Sequence, residues 1–468
     1  MIFSSFSFLF FFLPVVLCGY IITPKPVRNC FLFAVSLIFY AWGEPGFVFI
    51  MLASIVINYV TGVAVERLKE KGSPVTRTLL AAGIIANLLV LGHYKYTTFL
   101  LRSLLEFQES FGVALTFAVP QIPLPIGISF FIFQGISYIV DIYRGQVIAQ
   151  KNFISLGMYI ALFPQLMAGP IVRYQTIEKE ITSRNTTLES VVLGLRFFSF
   201  GMAKKVIIAN GMGAIADAIF ALPPGSASLP LAWMGIFAYT FQIYFDFSGY
   251  SDMAIGLGLL FGFHFPQNFN YPYIAGSMTD FWRRWHMSLS TWFRDYLYIP
   301  LGGNQYGVLK TYRNLFIVFC ATGIWHGANW TFLVWGIWHG LFLIAERLFP
   351  AISSRMPALA RHCYVLLAVI LGWVFFRSES IEGAISYMGA MFDLTRVVPE
   401  ALFFELTNAR TGFFFGLGCV FSTPVFIWFR NRFARSFIFE NIFSLCLFGI
   451  SIVFLLNSTY NPFLYFRF

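Results

Sequence analysis

GIWHGANWTFLVWGIWHG, residues Gly323 to Gly340, carries the pentapeptide Gly-Ile-Trp-His-Gly at both ends of an otherwise apolar run. Its only ionisable side chains are His326 and His339. The rest of the chain has the same texture. Of 468 residues, 58% are hydrophobic and only 11% are charged, with a mean hydropathy of +0.74. A soluble domain carries about 25% charged residues, so lipid is the solvent for most of this chain. One bilayer crossing takes about 20 apolar residues. The apolar stretches therefore predict an all-α polytopic membrane protein with roughly ten to twelve embedded helices, some short or broken.

The formal charge of +10 does not imply nucleic acid, because the basic residues lie in short gaps between apolar runs and form no contiguous patch. A positive-inside pattern explains them. Lys25 with Arg28, and Arg67, Lys69, Lys71 and Arg77, are separated by two apolar segments joined near Glu44, so both gaps are expected in the cytoplasm and the N-terminus outside. Ile2 to Ile22 lacks a basic leader and a small-residue cleavage site, which predicts a retained first helix. The six cysteines form no C-x-x-C pair, and the expectation is buried free thiols.

No polar linker divides the chain, which predicts a single membrane domain over 1–468, with N-terminal helices in 1–119, chemistry in 120–340 and C-terminal helices in 341–468. The central part is rich in Gly, Pro, Trp, His and Asp. LPIGISFF (from Leu124), FPQLMAGP (from Phe163) and FGFHFPQNFNYP (from Phe261) each break a helix. In a membrane such breaks are tolerated only where the freed backbone is buried in protein or lines a wet cavity.

A histidine within an apolar membrane segment is a functional candidate by default, and imidazole suits proton transfer near neutral pH. Laid along one continuous helix, His326 and His339 would be about 20 Å apart and about 140° out of phase, so only one serves as the base. Gly327 permits close approach beside His326, and His339 reads as a packing histidine. FWRRWHMSLSTWFRDYLYIPLGGN, Phe281 to Asn304, repeats Phe281, Trp285, Leu289, Trp292 and Tyr296 at helical spacing. Arg283, His286, Ser290 and Arg294 share another face, which predicts one interfacial amphipathic helix. Guanidinium groups bind phosphate in bidentate fashion. Arg283, Arg284, Ser290 and Arg294, with Trp325 and Asn329 beside His326, are thus candidates for holding a donor or lining its path; headgroup anchoring is the alternative. Asp246, Asp252 and His264 lack metal-ligand spacing and read as structural groups, so no metal is expected. The G-x-S-x-G and Walker patterns are absent from the sequence.

Together with LPIGISFFIFQGISYIVDIYRG (from Leu124), LFPQLMAGPIVRY (from Leu162), YFDFSGYSDMAIG (from Tyr244) and PQNFNYPY (from Pro266), these strings resemble the membrane-bound O-acyltransferase (MBOAT) family, in its bacterial polysaccharide O-acetylation branch. The resemblance implies a ring of tilted helices around a funnel or tunnel, with His326 as the family's histidine and His286 as its second polar position. It also implies a cytoplasmic thioester donor such as acetyl-CoA, used as a substrate with no bound cofactor, an acceptor hydroxyl near the outer side, and a separate extracytoplasmic SGNH-type acetyltransferase partner. The expected activity is acetyl transfer for alginate- or peptidoglycan-type polymers in the bacterial inner membrane. Acyl transfer of the D-alanyl, teichoic acid type is an alternative within the family, and a carrier of acyl donor or glycan is one from another class.

Overall fold

The computed structural model describes residues 1–112, 117–223, 225–350, 355–395, 400–433, 436–458 and 460–464. Helices account for the regular structure of these residues. The main ones are α1 (Leu13–Ile22), α2 (Arg28–Gly43), α3 (Val48–Glu70), α4 (Val75–Ser110), α5 (Ile128–Arg144), α6 (Phe153–Ala161), α7 (Tyr174–Thr182), α8 (Leu188–Ala203), α9 (Asn210–Phe220) and α10 (Leu229–Leu260). They continue with α11 (Met278–Arg284), α12 (Met287–Phe293), α13 (Val308–His326), α14 (Trp330–Leu348), α15 (Ala358–Arg377), α16 (Ile381–Phe392), α17 (Ala409–Phe421) and α18 (Phe437–Leu456). Among the described residues, five helical stretches are long and apolar enough to cross a bilayer: Lys25–Gly43, Pro45–Glu70, Val75–Ser110, Ala358–Arg377 and Phe437–Leu456. Many of the remaining helices are shorter or broken.

The chain forms two compact units. One comprises Met1–Val191 and Leu257–Pro266, the other Val192–Gly256 and Gln267–Phe468.

In the first unit α3 packs against α4 and α5, and α2 against α6. Apolar packing gives little preference between lipid and protein neighbours, so hydrogen bonds and small residues set the helix contacts. Asn58 and Asn87 exchange amide bonds, each Nδ2 donating to the other's Oδ1 at 3.1 Å. Each also donates to a carbonyl four residues back, that of Ser54 or Gly83. The α5 backbone lies so close that a Cβ on Gly135 would stand 2.2 Å from Asn58 Nδ2. The predicted breaks occur where Gly and Pro place them. Gly127 begins α5 at φ +74, where a Cβ would meet the Leu166 carbonyl oxygen at 2.5 Å.

In the second unit α8 passes through a widened π-helical turn, Lys204–Ala209, into α9. Lys204 pairs with Asp252 and Lys205 with Asp246, each at 2.6 Å. The second pair is almost wholly buried. Its spare valences are met by a nearby side chain and by distant backbone: Lys205 donates to Asn210 Oδ1 and to the Pro462 carbonyl, and Asp246 accepts from Leu464 N–H at 2.8 Å. Each aspartate is thus paired with a lysine.

Cys18, Cys30, Cys363, Cys419 and Cys446 are exposed and Cys320 is half-buried, which corrects the expectation of buried thiols. A residue flanked by apolar neighbours on a lipid-facing helix is at the protein surface, because lipid and protein core demand the same composition.

Removing one partner of a buried ion pair costs about 3–5 kcal/mol. Lys205→Ala is expected to lower the melting temperature of the detergent-solubilised protein sharply. The double change Lys205→Met with Asp246→Leu should cost less than Lys205→Ala, as measured by thermal denaturation.

Candidate active site

The duplicated pentapeptide makes a helical hairpin. α13 ends at His326, Gly327 is extended, and Asn329 caps α14 by accepting from Thr331 N–H at 3.0 Å. Each pentapeptide opens with a glycine on its helix, Gly323 on α13 and Gly336 on α14, and these two glycines meet at the crossing. A Cβ on Gly323 would lie 2.4 Å from the Phe332 carbonyl oxygen, and one on Gly336 would lie 2.3 Å from the Phe319 carbonyl oxygen. These obstacles are backbone atoms, so no side chain can move to relieve them. Small residues spaced in this way let membrane helices approach closely. The pattern is readable in the sequence as two G-x-x-x-G motifs, which the histidine spacing alone does not reveal.

The hairpin also changes the relation between its histidines. They are not strung along one helix; both rings lie against Trp335, with centroids at 4.9 Å for His326 and 5.0 Å for His339. His326 is 3% exposed and is enclosed by Trp325 at 5.1 Å, Trp335, and Phe376 of α15 at 5.2 Å. Trp330, at the start of α14, is 48% exposed. His339 is fully buried, and its two ring nitrogens have no hydrogen-bond partner among the described residues.

His286 does not sit on a continuous amphipathic helix. The chain breaks there into α11 and α12, and His286 adopts φ +43. A left-handed non-glycine residue costs about 1–3 kcal/mol and such residues cluster at functional sites. The break turns the ring inward, to 1% exposure. Asn268 holds it there: Asn268 Oδ1 accepts from Ser288 N–H at 3.1 Å and Ser288 Oγ–H at 2.9 Å, and lies 3.2 Å from His286 Nδ1. The backbone donor fixes this amide atom as oxygen. His286 Nδ1 consequently donates, and in the neutral ring Nε2 is the acceptor. The His286 ring also faces Trp325 at 6.1 Å, so His286 and His326 flank one indole.

The cationic edge predicted beside His286 is not assembled. Arg283 is exposed. Arg284 pairs with Asp280 at 2.8 Å, and Arg294 pairs with Asp295 at 2.6 Å. Ser290 Oγ–H donates to the Trp285 carbonyl at 3.4 Å. The helix break rotates this arginine face away from the buried ring, while Phe281, Trp285, Leu289 and Trp292 stay buried as their spacing requires. Asn329, besides capping α14, donates to the Glu379 carbonyl at 2.8 Å, which gives it a structural task. Of the sequence candidates, Trp325, His286 and His326 come together. Asn268, Trp335 and Phe376 complete the group. Asn268 lies in a string whose Gly and Pro content already marked a break, but nothing in the sequence singles out Phe376.

Two histidines at one buried tryptophan, on a Gly-Gly helix crossing, lie within residues 147–380, the span matched by the model of the membrane-bound O-acyltransferase family. The chain belongs to this family. It is an acyltransferase. It is 41% identical to a probable alginate O-acetylase of Pseudomonas putida over the full length of both chains. It is 36% identical to a peptidoglycan O-acetyltransferase of Helicobacter pylori, over 85% of this chain and 81% of that one. A teichoic acid D-alanyltransferase of Bacillus subtilis is 27% identical over 53% of this chain and 66% of its own length. All-helical architecture and apolar spans are those of a membrane acyltransferase.

The hairpin tolerates no side chain at its crossing. Gly336→Leu is expected to abolish the folded protein, and Gly336→Ala to reduce the monodisperse fraction after detergent extraction, as followed by size-exclusion chromatography.

Proposed function

We propose that this chain moves an acetyl group from a cytoplasmic thioester donor, such as acetyl-CoA, to a hydroxyl acceptor in the O-acetylation of an exported or cell-wall polysaccharide. Relatives named as alginate and peptidoglycan O-acetylating enzymes support that class of polymer. The proposed setting is the bacterial inner membrane, as a multi-pass protein, with an extracytoplasmic SGNH-type acetyltransferase receiving the acyl group or passing it on.

The observation that carries the reading is the burial of His326 among Trp325, Trp335 and Phe376, with His286 across the same Trp325. His326 takes the proton from the acceptor hydroxyl as its oxygen attacks the thioester carbonyl. The C–S bond then breaks, and the departing thiolate takes that proton from the imidazolium. His286, with its Nδ1 proton committed to Asn268, orients a hydroxyl by accepting through Nε2. Enclosure by aromatic rings keeps water from the thioester.

Charge placement supports an outer-side acceptor. Lys310 and Arg313 stand in the first turns of α13, Arg347 in the last turn of α14 and Arg361 in the first turn of α15. By the positive-inside rule these ends face the cytoplasm. The opposite ends carry His326, Asn329 and Arg377, the last paired with Asp217 at 2.8 Å.

General base catalysis is worth about 10² to 10⁴ in rate. His326→Ala is expected to lose transfer of labelled acetyl from thioester to acceptor by that factor in membrane vesicles, with unchanged protein content. Wild-type label transfer in this variant rules out the base, and a wild-type protein that moves the donor intact rules out the enzyme in favour of a carrier.

A further inference from the structure

His339 lies outside the proposed reaction, yet it is fully buried beside Trp335 and its nitrogens meet no partner among the described residues. Phenylalanine would fill the same space without burying a polar group. What the ring touches shows its use. It stacks on Phe281 at 6.4 Å and 6°, stands edge-on to Trp282 at 5.1 Å and 89°, and faces Gly372 of α15. A Cβ on Gly372 would come within 2.8 Å of His339 Nε2 and 3.3 Å of Trp338 Cδ1. The imidazole is thus a knob set into the one place on that turn of α15 that lacks a side chain, and this contact sets how closely α14 and α15 approach.

One turn along from that contact, the same two helices present the rings that grip His326. Trp335 precedes His339 by four residues and Phe376 follows Gly372 by four. The two rings meet at 5.0 Å and hold the His326 ring at 4.9 and 5.2 Å. The spacing fixed at His339 and Gly372 is therefore passed directly to the clamp on the base.

We infer that His339 and Gly372 form a knob-and-hole pair that positions His326 for proton transfer, acting through Trp335 and Phe376. This inference rests on His326 being the base. Misplacing a reacting group by about 1 Å can cost about 10²-fold in rate, and a looser clamp does so without touching the binding of the donor.

The test is steady-state acetyl transfer by purified full-length protein in detergent or vesicles, with acetyl-CoA as the donor and a soluble oligosaccharide of the acetylated polymer as the acceptor. His339→Ala and Gly372→Ala should each lower kcat at least about tenfold with donor KM unchanged. Adding Gly372→Ala to His339→Ala should lower kcat no further, because the added methyl then faces a vacated space. His339→Phe, which keeps the ring and discards the nitrogens, should retain kcat within about threefold of wild type. A wild-type kcat in His339→Ala, a loss confined to KM, or a His339→Phe as impaired as His339→Ala overturns the pair. Should Gly372→Ala fail to accumulate, the two His339 variants decide the matter alone. Full activity in His326→Ala sinks the base assignment; an inactive His326→Ala beside an unaffected His339→Ala sinks only the knob and hole.

Discussion

Within a membrane two helices gain little from burying apolar surface against each other, so their separation is set by what their side chains permit. Where Gly323 faces Gly336 the permitted separation is minimal, because each position looks straight onto the carbonyl oxygen of the other helix. Everything around the proposed base is laid out from that crossing. It brings the end of α13 and the body of α14 to one tryptophan, and it leaves α15 to close the third side with Phe376 and Trp373. The rings around His326 are uncharged, so in the proposed reaction no charged side chain of this cluster neutralises the imidazolium that forms.

Away from the site, the second unit pairs several of its less exposed charges: Lys204 with Asp252, Lys205 with Asp246, Arg377 with Asp217, Arg196 with Glu440. A lone charge buried in an apolar interior is very costly, and pairing with hydrogen bonds offsets most of that cost. His286 follows the same economy with a neutral group: Asn268 takes its proton donor, Ser288 and Ser251 satisfy the rest of the asparagine side chain, and the ring keeps a single defined tautomer. The backbone strain at His286 is tolerated because this small network over-determines it.

Much of this architecture is legible in the sequence because membrane solvent leaves few options. Apolar composition demands helices, Gly and Pro mark where they stop, and a histidine amid tryptophans stands out as chemistry. The break at His286 is hidden because Phe281, Trp285 and Leu289 keep helical spacing across it, so periodicity reads straight through a residue with positive φ. The arginines on that string were grouped with His286 by the same uninterrupted spacing and separate from it once the helix breaks. The proximity of His339 to the site is hidden for another reason: residue separation equals distance only on a continuous helix, and Gly-Ala-Asn folds the chain back. Cysteine burial misreads because an apolar neighbourhood looks alike whether the neighbour is protein or lipid.

The pair between Lys205 and Asp246 has a consequence for biogenesis. Two of its hydrogen bonds come from backbone 257 and 218 residues further on. Throughout synthesis of the intervening helices, both side chains wait with their hydrogen bonds incomplete, and the second unit has no finished interior to offer them. The second unit must therefore be sheltered until the segment around Pro462 and Leu464 has been made and packed, which makes its maturation a long-range event and not a helix-by-helix one.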